Sequence, residues 1–362
     1  MGVACGAVNR QWLGSGISAD VDARDRHRII ALMDCVTALE RFSRRLDWRR
    51  IARTYDCAVL VAISASVLLV ASCGGGEAPD EAPDTVSPGF PVTAERADGG
   101  TLTFDRPPQR IVSLSPGLTE ILFAIGVGDQ IIAVDSGSDF PGETEGKTKI
   151  DATTPDMETL TGLEPDLVIT MGGPVDVVQS LDQLGLQVLW LETPDSFGGI
   201  LDQIDVLGEI TGRIEESDSL VDDMDSRVLT IFDKVGATAG PRIYHELDDQ
   251  LVTASSDTFT GELYLILNAT NVTDIVDETQ RPYPQLTLGA IVEADPEVII
   301  LAYSGASPES IEARPGWQSI SAVQNDRIYA VDPDIVNRPG PRLVEGLETL
   351  ANLLHPDLFP EP

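Results

Sequence analysis

Apolar positions along the chain change period several times, and each change marks a different element. Ala58 to Ala71 is an unbroken run of fourteen uncharged residues just after Arg49, Arg50 and Arg53. Residues 92–105 alternate apolar and polar around Asp98-Gly99-Gly100, which predicts a hairpin with a glycine turn. Beyond it, short apolar runs read as strands at Arg110–Leu114, Gln130–Val134, Asp166–Thr170 and Gln187–Leu191, then at Pro241–His245, Glu297–Ala302 and Arg327–Val331. Helix-period segments separate them, so the pattern predicts an α/β protein with parallel sheets and crossover helices.

Between the two groups of strands, Gly208 to Val235 contains no proline and repeats Ile210, Ile214, Leu220, Met224, Val228, Leu229 and Ile231 at helical spacing. This predicts one long connecting helix over residues 208–236, with Gly212 as its weak point. The chain then divides into a first lobe over 92–207 and a second over 237–362.

The lobes share a local pattern. Ser115-Pro116-Gly117-Leu118-Thr119-Glu120 precedes the apolar run Ile121–Ile125, and Ser256 to Glu262 precedes Leu263–Leu267. Each segment follows a strand and opens a helix, so Glu120 and Glu262 fall at equivalent places. Either glutamate alone reads as first-turn helix stabilisation. Their pairing points to a shared role.

The apolar run has the length of a secretory signal core and is too short for an ordinary membrane span. Val70-Ala71-Ser72-Cys73 follows it and resembles a bacterial lipobox, in which the cysteine is lipidated and becomes the mature N-terminus. Gly74 to Pro88, rich in Gly, Pro, Asp and Glu, reads as a tether, and residues 74–91 are assigned to it. Residues 58–73 are then the signal core with its lipobox, and 1–57 an N-terminal extension set aside from the fold. The implied location is extracytoplasmic, anchored by lipid to the cell membrane.

Charge narrows the function. The first 72 residues hold ten arginines against seven acidic residues, and since the whole chain carries −35 the remainder carries −38. Such a field repels phosphate backbones and argues against nucleic-acid binding. It reads as a solvated acidic coat and also suits a surface that meets a basic partner. The cysteines are Cys5, Cys35, Cys57 and Cys73, so the body has neither a disulfide nor a thiolate metal site. Only His245 and His355 follow Cys73, which disfavours histidine metal cages. No GxSxG elbow, no phosphate-binding GxxxxGK[ST] loop and no GxGxxG after the first strand is present, so an enzyme is disfavoured. Asn268–Thr270 and Asn271–Thr273 match glycosylation acceptors and are read as chance in a lipobox-bearing chain.

IVSLSPGLTEILFAIGVGDQIIAVD from residue 111, LEPDLVI at 163–169, FTGEL at 259–263, DPEVIIL at 295–301, WQSISAVQNDRIYAVD at 317–332 and RPGPRLVEGLETLANLLHP at 338–356 together resemble substrate-binding proteins for cobalamin and ferric siderophores. The resemblance covers residues 92–360. It implies two Rossmann-like lobes joined by a single long α-helix, a ligand cleft between them, no catalysis and no intrinsic cofactor. It further implies a monomer that hands a metal-chelate solute to the membrane subunits of an ABC importer. The family's docking carboxylates, one exposed on each lobe, map onto Glu120 and Glu262, so Glu120→Ala with Glu262→Ala is expected to abolish uptake while sparing solute affinity.

Ligands of open α/β sheets bind beyond the carboxyl ends of the strands. That rule nominates Ser115, Pro116, Asp135, Ser136, Phe140, Gly172 and Gly173 in the first lobe, and Glu246, Phe259, Tyr283, Tyr303 and Arg338 in the second. Tyr283 stands out, because Arg281-Pro282-Tyr283-Pro284 is a stiff loop that would present its ring. Few basic residues reach the second-lobe cleft, Arg281 and Arg338 foremost, which leans toward cobalamin or another corrinoid over an anionic ferric siderophore. Haem ligated by Tyr283, Tyr303 or His245 is an alternative, as is a sensory or structural surface lipoprotein.

Overall fold

The structure is a computed structural model and describes residues 89–360. The N-terminal extension, the signal core with Cys73 and nearly all of the tether lie outside the described residues.

The expected hairpin forms from β1 (Val92–Glu95) and β2 (Thr101–Phe104), antiparallel with Val92 opposite Phe104. Its turn carries Gly99 at φ +79°, and the Asp98 carboxylate accepts the Gly100 N–H.

The first lobe comprises β3 (Ile111–Ser113), α1 (Pro116–Ala124), β4 (Ile131–Asp135), β5 (Thr148–Ile150), α2 (Met157–Gly162), β6 (Leu167–Met171), α3 (Val175–Gln183), β7 (Val188–Leu191) and α4 (Phe197–Thr211). Its five strands are all parallel, in the order β5-β4-β3-β6-β7. Next comes α5 (Ile214–Val235), followed by the second lobe: β8 (Arg242–Glu246), α6 (Phe259–Ile266), β9 (Thr270–Asn271), α7 (Val272–Val276), α8 (Leu288–Ala294), β10 (Val298–Leu301), α9 (Pro308–Glu312), α10 (Ser321–Gln324), β11 (Ile328–Ala330), α11 (Pro333–Val336) and α12 (Leu343–Leu354). Four parallel strands in the order β11-β10-β8-β9 form its sheet. Central strands such as β10 are buried along their whole length, as helices on both faces require.

The connecting helix is shorter than residues 208–236. The apolar repeat runs through Gly212, but Gly212 takes φ +70° and caps α4 in the left-handed conformation, and α5 starts at Ile214. The two helices then fold against each other. Gly208 has no Cβ, and one there would collide with the Ser217 side chain. At 1.5 Å per residue α5 spans about 33 Å, still a single long helix between lobes.

In both sheets the strand order reverses beside the first strand of the lobe, β3 in one and β8 in the other. Loops at the carboxyl ends diverge at these points and open a crevice. One continuous apolar core runs from β3 and α1 through α4, α5 and α12 to β10 and α6, so the lobes share a base. No helix among the described residues is long and apolar enough to cross a membrane.

Candidate functional site

The carboxyl ends of the two sheets face one another. The loop after β4 in the first lobe meets the segment after β11 in the second, since Arg338 reaches the Asp139 carboxylate at 2.9 Å and the Gly137 carbonyl at 3.4 Å. A close backbone approach supports this meeting, because a Cβ at Gly117 would collide with the Pro339 carbonyl.

At the centre of the junction lies Glu120, only 3% exposed. Arg338 Nη1 donates to its Oε1 at 2.8 Å, Arg342 Nη2 donates to the same oxygen at 2.7 Å, and Arg342 Nε reaches Oε2 at 3.1 Å. Burial works against the charge on Arg338, and hydrogen bonds to Glu120 and Asp139 more than offset it, leaving its pKa raised. The hydrogen bond to Glu120 raises Arg342 as well. Burial lifts Asp334, a further partner of Arg338, above the usual carboxylate range. The expectation of an exposed docking carboxylate at Glu120 is therefore corrected: two arginines from the other lobe enclose it.

Glu262 also points across the junction. It opens α6 in the second lobe, is half-buried, and its Oε2 accepts the Phe197 N–H at 2.6 Å, where α4 of the first lobe begins. The repeated segments thus place each lobe's glutamate against the other lobe. Backbone packing differs between them, since a Cβ at Gly261 would strike the Ser255 carbonyl of its own lobe, whereas one at Gly117 would strike Pro339 of the other.

The first-lobe candidates separate into buried supports and open positions. Ser115 is buried, with its carbonyl accepting Thr119 N–H and Oγ1–H, and Pro116 behind it opens α1. Asp135 ends β4 buried; its carboxylate accepts the Gly137 N–H at 2.9 Å and the Ser138 hydroxyl, which shapes the loop rather than offering a ligand contact. Ser136 is exposed, its hydroxyl donating to the Ile150 carbonyl. Gly172 and Gly173 both have positive φ, and the Gly172 carbonyl accepts Trp190 Nε1–H at 2.8 Å. Phe140 is 44% exposed, with the Arg342 guanidinium over its ring at 4.3 Å.

Four second-lobe candidates are not open to a ligand. Phe259 is buried in the shared core, where the start of α6 turns its ring inward. Glu246 is fully buried and held by Arg314 Nη1 and Nη2, which donate to it at 2.6 and 2.7 Å, with the Tyr303 hydroxyl donating to it at 2.9 Å. Tyr303 is thereby committed, and burial together with that bond pushes its phenol up to about 12. Arg338 spans the junction as described, so its charge is spent on carboxylates. Tyr283 alone remains as an open aromatic, 46% exposed, on a flap where Thr253 N–H bonds Pro284 O and Ser255 N–H bonds Pro282 O.

His245 is buried. Asn337 Nδ2 donates to Ala302 O, which turns its Oδ1 toward His245 Nε2; that nitrogen carries the proton, while Nδ1 faces the Tyr264 hydroxyl. Burial pushes the imidazole down to about 4. Sequence reasoning missed Arg342, Arg314 and Asp139; the spacing of Arg338 and Arg342 around Pro-Gly-Pro was the available signal for the first. Among the described residues no group of three His, Cys, Asp or Glu side chains could hold a metal ion.

Residues 111–335 match the family model described as periplasmic binding protein. An ABC transporter substrate-binding lipoprotein of Bacillus subtilis, YvrC, is 32% identical over 84% of this chain and 98% of its own length. A cobalamin-binding protein of Halobacterium salinarum is 28% identical over 74% of each chain. Among solved structures, the periplasmic vitamin B12 binding protein BtuF of Vibrio cholerae gives a TM-score of 0.60 at 26% identity, covering 70% of this chain and 99% of that one. A possible iron-binding, periplasmic solute-binding protein of Staphylococcus epidermidis gives 0.61 at 30% identity, over 68% and 99%.

Proposed function

Because the chain belongs to the periplasmic binding protein family, we propose that it is the lipid-anchored receptor of an ABC importer for a bulky solute without net negative charge, a corrinoid such as cobalamin. The family is one of substrate-binding proteins rather than enzymes, and the chain is an extracytoplasmic substrate-binding protein of an ABC importer.

One observation carries the choice of solute. The arginines at the carboxyl ends of the strands, Arg314, Arg338 and Arg342, are each matched by a carboxylate of the protein itself. An anionic ferric siderophore calls for unmatched guanidinium or ammonium groups. Arg281 is exposed, its Nε donating to the Thr279 hydroxyl, and one such side chain is a weak clamp for a multiply charged ligand. Haem fares no better. His245 is enclosed and Tyr303 is bonded to Glu246, so of the three candidate iron ligands Tyr283 alone is open and no second one stands with it. The relatives named for cobalamin and vitamin B12 support the same reading.

Anchoring at Cys73 rests on the lipobox and tether, and on the similarity to a lipoprotein across 84% of the chain, more than residues 89–362 alone make up. Membranes of cells expressing the full chain are expected to bind cyanocobalamin and not a ferric tris-catecholate, and Cys73→Ser should move that binding to the soluble fraction. Preference for the tris-catecholate would overturn the solute assignment. Unchanged membrane retention of Cys73→Ser would overturn the anchor.

A further inference from the structure

At the end of the second lobe opposite the crevice lies a separate cavity of about 470 Å³, a size within the range of small-molecule sites. Topology explains where it sits. Arg327, on its wall, immediately precedes β11, so the cavity opens at the amino end of the sheet, and β11 is an edge strand that no further strand covers. The last turn of α12 and the residues that follow it form the facing wall, with Leu353, Pro356 and Phe359 supplying apolar surface.

Charge sets this cavity apart. Arg314, Arg338 and Arg342 are each matched by a carboxylate, whereas Arg327 Nη2 donates only to the Leu353 carbonyl, at 3.3 Å, and Arg327 pairs with no carboxylate among the described residues. Both ends of that bond line the cavity, which places the guanidinium at its wall. Asp357 lines it too, but it is exposed and forms no ion pair with Arg327. Lys234, in the last turn of α5, holds its ammonium 4.2 Å from the centre of the Phe359 ring and likewise has no carboxylate partner among the described residues. Two uncompensated cations therefore gather at one partly apolar cavity in a strongly acidic body.

We propose that this cavity is a second ligand site, independent of the solute cleft, for a small organic monoanion. Its carboxylate is received by the Arg327 guanidinium, which can donate two parallel hydrogen bonds, and its apolar body lies against Leu353, Pro356 and Phe359. Lys234 favours the same sign of charge from beside the ring.

A fluorine NMR titration of the full chain tests the site, with para-trifluoromethylphenylacetate as the anionic probe and its uncharged primary amide as the control. The carboxylate is expected to bind saturably, one per chain, about tenfold more tightly than the amide. Arg327→Gln should bring the carboxylate down to the affinity of the amide and leave the amide unchanged, while Phe359→Ser should weaken both. Tyr283→Ala, in the cleft, should change neither. Absence of saturable binding, equal affinity of carboxylate and amide, or full carboxylate affinity in Arg327→Gln would overturn the proposal. Loss of the probe in Tyr283→Ala would place it in the cleft and overturn the proposal as well. Should Arg327→Gln lose both probes through a disturbed wall, Arg327→Lys decides: it keeps the charge and should still prefer the carboxylate, and no preference there would overturn the site.

Discussion

At the scale of single residues, what decides a role is the partner. Glu120 and Glu262 were legible as a pair from their repeated segments, but not their surroundings, because the arginines on Glu120 lie 218 and 222 residues further along the chain. A carboxylate on the surface and one enclosed by two guanidiniums have the same local sequence. Their consequences differ. Removing an exposed carboxylate changes stability by about 0.5 kcal/mol or less, whereas cutting a buried charge out of its network leaves guanidiniums uncompensated. Arg338 keeps Asp139 and Asp334, while Arg342 keeps the Phe140 ring and the more distant charge of Asp334. Glu120→Ala is therefore expected to cost about 2 kcal/mol in urea unfolding. A loss within 0.5 kcal/mol would restore the exposed-carboxylate picture. The same reasoning explains why Glu246 and Phe259 look like cleft residues in sequence: the strand-end rule finds the right place in the fold but not which way a side chain turns.

Among elements, strongly patterned ones were readable and short ones were not. All seven strands named from sequence are present within a residue or two, because each is an apolar run that stands out in its own sequence. The two missed, β5 and β9, are short edge strands, Thr-Lys-Ile and Thr-Asn, whose pairing comes from a neighbouring strand rather than from their own hydrophobicity. The break between α4 and α5 was equally hidden, since apolar spacing continues through Gly212 and only its positive φ ends the helix. Strand β8 carries a pH-dependent liability of its own. His245 titrates near 6.5 in an unfolded chain and near 4 in the fold, so the folded state binds its proton less readily. Its contribution is complete above pH 6.5 and is lost as pH falls toward 4, amounting to about 3 kcal/mol over that window. In urea titrations between pH 7 and 4, His245→Gln should lose less stability than the wild type by that amount. Parallel pH profiles would show that the imidazole is not shielded.

For the whole molecule, the question is how far the lobes move when solute enters. A hinge would require that few contacts cross between them. Here a helix of about 33 Å connects the lobes, one apolar core runs through both by way of α4, α5 and α12, and two carboxylates reach across, Glu120 to the arginines and Glu262 to the Phe197 N–H. Swinging the lobes apart would expose that core and break charged contacts at once, an energetic demand that binding one small molecule would have to meet. Affinity then comes from a largely preformed cleft. Small-angle scattering of the full chain with and without saturating cyanocobalamin should give the same radius of gyration within error, and measurable compaction in the wild type would refute a rigid base. Glu120→Ala cuts one of the two ties while leaving the core intact. If the ties rather than the core set the lobe angle, that variant alone should compact on binding; if the core suffices, it should remain as invariant as the wild type.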